Sequence, residues 1–298
     1  MESTTALMGR RLREKLHAGS VFPIMEAHNG ISALIAVRAG FPCLWASGFS
    51  ISTSMGLRDA NEASLSQVID ILEWIVDASD VPVLFDGDSG FGNFNNVRVL
   101  TQKLSQRGAA GVVLEDKMFP KLNSFIGNTQ QLASVPEFCG KLKAALDSRL
   151  SEDFQVIARI EGLLFGGSMD EALARANYYV DVGADAIFLH SKKSDASEVF
   201  AFCGRWERRA PIVICPTTYP SVPFSRYQDT GVAACICGNQ NLRASVNAMK
   251  AASRKIFAEF GLAGVEDEIT SVAEIFELMN YAELERAEAI YSSFEAGK

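Results

Sequence analysis

Two carboxylates one residue apart, Asp86 and Asp88, end the apolar part of VLFDGDSGFGN, residues 83 to 93. In an extended chain side chains alternate faces, so the pair converges on one side. Two like charges that close are unfavourable unless a cation sits between them. A divalent metal is one answer, and a tight turn with Asp as a backbone acceptor is the other. Other apolar runs also end in polar residues, the first in Glu26 with His28 and Asn29, the second in Trp45, Ser47 and Gly48. Glu115, Asp116 and Lys117 follow, then Arg159 and Glu161, His190 and Ser191, Thr217, and Gly238 with Asn239. Buried strands seldom close with so many charges unless they face a ligand, which tips the first pair toward metal.

Asp86, Asp88 and Glu115 form an all-oxygen set suited to a hard ion such as Mg2+. Asp59, in SMGLRDANEAS, adds an acid that reaches the ion less directly. Arg159, His190 and Lys121 supply positive charge. With the backbone amides around Ser47, Gly48 and Phe49 they suit a doubly anionic substrate carrying carboxylate or phosphoryl oxygens. Structural alternatives stay open: Arg159 pairs with Glu161, His190 is a satisfied core histidine, and Asp59 caps the next helix. Glu26 and Glu161 read as hydrogen-bonded supports.

The elements that must position these residues are short β-like runs separated by helical stretches. The runs are FPIMEA (22 to 27), PCLWAS (42 to 47), VPVLFDGD (81 to 88) and GVVLED (111 to 116). FQVIARIE (154 to 161), DAIFLHS (185 to 191), PIVICPT (211 to 217) and VAACICG (232 to 238) complete the set. Between them ASLSQVIDILEWIVDAS and MDEALARANYYVDVGA carry apolar residues at three and four spacing. Continuous apolar strands are buried on both faces, and eight such units predict an α/β fold, the (β/α)8 barrel of TIM type, whose active site lies at the strand C-termini. No Pro-, Gly- or Ser-rich linker divides the chain, so residues 1–298 read as a single barrel domain with a helical tail over 265–298.

Composition narrows the partners. A net charge of −8 argues against nucleic-acid or anionic-membrane surfaces. No apolar run approaches the roughly 20 residues that span a bilayer, and MESTTALMGRRLREKL lacks a signal-peptide core, so a cytoplasmic protein is expected. Six scattered cysteines without a CxxC pair read as reduced core residues.

The segments IMEAHNGISA, LWASGFSIS, RDANEAS, DGDSGFGNFNN, LEDKMFPKLNS, IARIEGL and ADAIFLHSKK together resemble the phosphoenolpyruvate mutases of the isocitrate lyase superfamily. The similarity runs from about residue 20 to 295. Its most specific piece is EDKMFPKLNS, which matches the Glu-Asp-Lys, five residues, Asn-Ser pattern of the mutases. The resemblance implies an isomerase that interconverts phosphoenolpyruvate and phosphonopyruvate. It also implies Mg2+ held directly by Asp86 and through water by Asp59, Asp88 and Glu115. Substrate would be held by Ser47, Gly48, Phe49, Asn123, Ser124, Arg159 and His190, with Trp45 beside them, under a gate over residues 116 to 132. Asp59, Lys121, Asn123, Arg159 and His190 would form the catalytic set.

Departures are informative. The metal motif reads Asp-Gly-Asp-Ser-Gly-Phe-Gly-Asn, where relatives more often carry Ala or Ile between the acids and Thr-Gly-Tyr after them. The gate stretch FIGNTQQLASV lacks the usual charges. The Lys-Lys/Arg-Cys-Gly-His signature of the carbon–carbon lyases is replaced by Lys121-Leu122-Asn123-Ser124, which counts against lyase chemistry. Phosphonopyruvate hydrolase is the rival reading, with Asn123-Ser124 the feature against it. The resemblance further implies a homodimer or homotetramer exchanging its last helix. In agreement, NLRASVNAMKAASRKIFAEF is followed by a break at Gly261 to Gly264 and a second amphipathic stretch with Val272, Ile275, Phe276 and Met279. Packing of that stretch across the bottom of its own barrel is the alternative.

Overall fold

All eight apolar runs form strands; β1 spans its whole run, and the other seven are shorter than theirs. They are β1 (Phe22–Ala27), β2 (Leu44–Ala46), β3 (Val83–Asp86), β4 (Gly111–Glu115), β5 (Gln155–Ile160), β6 (Ala186–Leu189), β7 (Ile212–Ile214) and β8 (Val232–Cys237). In the computed structural model, which describes residues 3–124, 126 and 130–292, they close a parallel barrel in chain order. The expected (β/α)8 barrel is therefore the fold.

The helices are α1 (Thr4–Leu16), α2 (Gly30–Arg38), α3 (Gly48–Ser54), α4 (Leu65–Asp77), α5 (Phe94–Gln106), α6 (Val135–Ser148), α7 (Met169–Val182) and α8 (Ser197–Cys203). Their starts are locally encoded. Asn29, Ser64, Asn93, Ser134 and Ser168 each cap a first turn by accepting a backbone N–H. Ser64 rather than Asp59 caps α4, so the capping role considered for Asp59 is not the one it plays.

Strand parity does the positioning. Ile24, Leu84, Val113, Ile157 and Phe188 fill the barrel interior, while Phe85, Val112, Leu114, Ala158 and Leu189 pack outward against the helices. The next residues of inward parity are Glu26, Asp86, Glu115, Arg159 and His190. The ladder sets Glu115 of β4 directly opposite Arg159 of β5. At the other end of the barrel, Leu12 and Leu16 of α1 join the interior cluster. Charged neighbours hide this face in MESTTALMGRRLREKL, although the two leucines stand four apart on one side of the helix.

The chain divides into two compact units at Leu242 and Arg243. The second contains most of α9 (Gln240–Glu259), then α10 (Val272–Leu278) and α11 (Tyr281–Tyr291). The predicted break falls between α9 and α10. Asn280, in the left-handed region at φ 54°, separates α10 from α11, and the Phe276 and Tyr281 rings meet across that turn at 4.6 Å. Residues 293–298 of the expected tail lie outside the described residues.

β4 and β5 approach so closely at Gly111 that a Cβ there would lie 2.5 Å from the Gln155 carbonyl oxygen. Backbone cannot yield as a side chain can, so Gly111→Ala should lower stability by about 2 kcal/mol. Urea unfolding followed by circular dichroism measures this, and a change within error would mean the strands can part there.

Candidate active site

A cavity of about 300 Å³ opens at the C-terminal ends of the strands. One side is polar, made by Ser47, Asp59, Asp86, Lys121, Asn123, Ser124, Arg159 and His190. The other is largely apolar, with Trp45, Phe49, Phe188, Cys215 and Ile236. Trp45 and Phe188 meet edge to face with centroids 6.2 Å apart, and the Arg159 guanidinium lies 4.9 Å above the Phe188 ring. Asp88, Glu115 and Gly48 do not line the cavity but sit directly against its residues.

The acids occupy one corner. Asp86 Oδ2 accepts the Gly48 N–H at 3.2 Å, and a Cβ on Gly48 would lie 3.2 Å from Asp88 Oδ1. A side chain where α3 begins would thus press on both carboxylates, which leave little more room than glycine needs. The Gly48 amide is committed to Asp86 and the Ser47 amide to the Ala27 carbonyl, while the Ser47 hydroxyl caps α3. Lys121 Nζ enters this corner, 2.5 Å from Asp59 Oδ1 and 2.9 Å from Asp88 Oδ1. Burial pushes the Asp88 carboxyl up to about 7, even against Lys121, and the neighbouring Asp86 and Asp59 charges add to the rise. Asp86 is raised in the same way, while Lys121 overcomes burial to hold Asp59 below its ordinary value.

The cations occupy the other corner, around Glu161. Its carboxylate accepts from Arg159 Nε at 2.5 Å, His190 Nδ1 at 2.7 Å and Ser124 Oγ at 2.7 Å, with Lys117 Nζ at 3.4 Å. Burial alone would raise its pKa, but Arg159, His190 and Lys117 hold it well below the usual carboxylate range. Arg159 Nη2 also stands 2.8 Å from His190 Nδ1. A proton on Nδ1 is well placed on Glu161, and the adjacent guanidinium opposes a second charge on the ring. Burial first and Arg159 second accordingly lower the His190 pKa. The pairing of Arg159 with Glu161 and the presence of both residues at the cavity are compatible readings of one geometry.

The loop after β4 bridges the corners. Asn123 Nδ2 donates to Asp59 Oδ2 at 2.6 Å, and Lys117 Nζ donates to Ser124 Oγ at 2.8 Å. Lys117 pairs with Leu132 across the loop's base. Within the expected gate, residues 125 and 127–129 lie outside the described residues. Asn61 was missed by the sequence reading: its amide donates to Asp88 Oδ2 at 3.1 Å and accepts from the Lys121 N–H at 2.8 Å. No spacing rule marks it. Phe188 was legible, two residues before His190 on the same face. Glu26, the other expected support, is fully buried and accepts from Leu242 N at 2.6 Å while facing His28 Nδ1 at 3.1 Å.

Asp88 Oδ1 and Glu115 Oε1 are buried without a hydrogen bond, each held only by a nearby lysine ammonium. Under-satisfied carboxylate oxygens in a cluster where burial raises the Asp86 and Asp88 pKa values fit a hard cation. Among the described residues no three metal-ligating side chains converge as a ready-made cage. Mg2+ does not require one, since it keeps several waters and uses few direct carboxylates.

The family model for phosphoenolpyruvate phosphomutase matches residues 12–257. A phosphoenolpyruvate phosphomutase of Tetrahymena pyriformis is 45% identical over 282 residues, covering 94% of each chain. The crystal structure of a phosphoenolpyruvate phosphomutase from Streptomyces platensis subsp. rosaceus superposes with a TM-score of 0.93 at 38% identity, over 95% of this chain and 99% of that one. A phosphonopyruvate hydrolase solved with oxalate and Mg2+ superposes at 0.91 and 36% identity, over 96% and 99%.

The lowered His190 pKa has a consequence for stability. Between the folded value and the unfolded value of about 6.5 the unfolded chain binds the His190 proton more, so the contribution of His190 to stability rises with pH through that window, against the falling contribution of the raised Asp88 carboxyl. His190→Gln should therefore make the slope of urea-unfolding free energy against pH more negative between about pH 5 and 7. An equal slope in the variant would mean that His190 contributes no such term.

Proposed function

The chain belongs to the phosphoenolpyruvate phosphomutase family, and we infer that it is an isomerase interconverting phosphoenolpyruvate and phosphonopyruvate. The observation that carries this reading is the Glu115-Asp116-Lys117, five-residue, Asn123-Ser124 pattern, whose last two residues line the cavity with Arg159 and His190. In the direction of phosphonate formation the P–O bond breaks and its electron pair stays on the enol oxygen. The enolate C3 then forms the P–C bond, and no atom enters or leaves.

Arg159 and His190 face the phosphoryl or carboxylate oxygens, and Arg159 keeps its Nε edge on Glu161. A loose transition state spreads charge over the phosphoryl oxygens, so fixed donors stabilise it without reorganising. The Ser47 hydroxyl adds a neutral donor, while Ser124 spends its proton on Glu161 and so fixes the acid behind Arg159 and His190. Asn123 can donate to a phosphoryl oxygen without bringing a base that would activate water. Trp45, Phe49 and Phe188 keep the apolar side dry. Asp59 has one oxygen on Lys121 and the other on Asn123, which favours direct transfer over a phosphoenzyme at that residue.

Mg2+ is the proposed cofactor, held directly by Asp86 and through water by Asp59, Asp88 and Glu115. Bound there it supplies an electrophile for the enolate and carboxylate oxygens. The hydrolase solved with Mg2+ and the under-satisfied oxygens of Asp88 and Glu115 support that choice. We propose further that the barrel is one domain and that residues 265–298 are exchanged between subunits of a homodimer or homotetramer. The stripe of Val272, Ile275, Phe276 and Met279 supports the exchange. A cytoplasmic location accords with six free cysteines, and among the described residues no helix is long and apolar enough to cross a membrane.

Phosphorus NMR of the protein with phosphonopyruvate and Mg2+ should show phosphoenolpyruvate forming, and EDTA should stop it. Free phosphate as the main product would make the chain a hydrolase, and full turnover after exhaustive chelation would remove the metal. Arg159→Lys keeps the charge but loses the planar fork, so kcat/KM should fall at least ~100-fold, about 2.7 kcal/mol. A loss under ~3-fold would assign Arg159 a purely structural role.

A further inference from the structure

Four lysine and arginine side chains are buried among the described residues, and three of them, Lys117, Lys121 and Arg159, belong to the cavity region. The fourth is Lys141, on α6 outside the barrel. A lysine on an outer helix ordinarily runs its ammonium out to water. Lys141 is 2% exposed instead, and its Nζ donates to the Ser89 carbonyl oxygen at 2.9 Å. The nearest carboxylate paired with it, Glu137, is 4.0 Å away and half exposed. Burial pulls the Lys141 pKa below its ordinary value, with Glu137 opposing. Seating a cation there is unfavourable, and the carbonyl it reaches is the one that follows Asp88.

Asp88 adopts φ 49°, a left-handed conformation uncommon for residues with a Cβ, although Asp enters it more readily than most. The turn closes on itself through the Gly90 N–H and the Gly87 carbonyl at 2.9 Å, and three further ties fasten its backbone to its surroundings. Gly87 N–H donates to the Val113 carbonyl at 2.8 Å, and Glu115 N–H donates to the Asp88 carbonyl at 2.8 Å. Both come from the backbone of β4. The third, Lys141 to Ser89, is a side chain that fastens the far end of the turn. We infer that Lys141 is a positioning residue: it fixes the Ser89 carbonyl, and through it the aim of the Asp88 carboxylate toward the metal corner. The inference rests on the Mg2+ reading given above. Lysine suits the role because its length spans α6 to the turn and its charge stands behind the acid cluster.

The test is Mg2+ binding by calorimetry on wild type, Lys141→Met and Lys141→Gln, with phosphonopyruvate turnover measured across Mg2+ concentrations. Lys141→Met keeps the apolar stem and should weaken Mg2+ at least ~10-fold, the range seen when groups that orient ligands are removed. Lys141→Gln, a shorter donor, should fall between. At saturating Mg2+ kcat should stay within ~3-fold of wild type, a split between metal affinity and rate that simple loss of stability would not produce. Wild-type Mg2+ affinity in folded Lys141→Met overturns the inference. If that variant does not fold, wild-type affinity in Lys141→Gln overturns it. Should wild type itself take up no Mg2+, the metal reading falls and the inference falls with it.

Discussion

The Glu161 carboxylate is the interaction on which the site depends. It is fully buried, and a bare carboxylate in that position would be costly. It is tolerated because Arg159, His190, Ser124 and Lys117 converge on it from β5, the end of β6 and the loop after β4. Its own backbone N–H donates to Asp116 Oδ1 at 2.9 Å, and Asp116 Oδ2 in turn accepts from Tyr179 on α7 at 2.8 Å. Barrel, outer helix and loop are thereby joined at one acid. Removing it would leave Arg159 and Lys117 buried beside a hole, so the cost would spread through the network.

Charge balance explains the other corner. Around the cavity Asp59, Asp86, Asp88, Glu115 and Glu161 face three cations, Lys117, Lys121 and Arg159, with His190 held neutral. With every acid ionised, the deficit is the charge of one divalent ion. Burial first, with the neighbouring acids adding to it against Lys121, pushes the Asp88 carboxyl up to about 7, while Lys121 rises well above its ordinary value because Asp88 and Asp59 outweigh its burial. A chain that kept Asp86 and Asp88 for a turn alone would have no reason to assemble this excess.

Much of this was legible in the sequence because it follows from periods of two and of about 3.6. Inward parity carries Ile24 to Glu26, Leu84 to Asp86, Val113 to Glu115 and Ile157 to Arg159, so eight apolar runs announce both the barrel and its charged rim. What escaped depends on reach rather than on period. Asn61 enters from a loop whose path no spacing rule fixes, and it holds both Asp88 and the Lys121 backbone. Lys141 reads as an ordinary helix-surface lysine in GKLKAALD until its stem is seen to turn inward. Leu12 and Leu16 are hard to read as core because charged neighbours mask a two-leucine face. The sequence leaves Asp59 open between capping and chemistry, and the position of Ser64 at the start of α4 removes the cap.

The same barrel carries a mutase and a hydrolase, so backbone geometry alone does not choose between phosphoryl transfer to carbon and transfer to water. The choice is one of competing barriers, and about 1.4 kcal/mol shifts the partition tenfold. A difference that small can arise from one side chain that admits or excludes a water. In this chain Lys121, Asn123 and Ser124 line the cavity, and each is tethered to an acid: Lys121 to Asp59 and Asp88, Asn123 to Asp59, Ser124 to Glu161. The tethers end on the acids of both corners, Asp59 and Asp88 in one and Glu161, which holds Arg159, in the other. The same electrostatics therefore set the acid cluster, the cationic corner and this stretch of the cavity lining, so that a weakening of either corner would loosen the other.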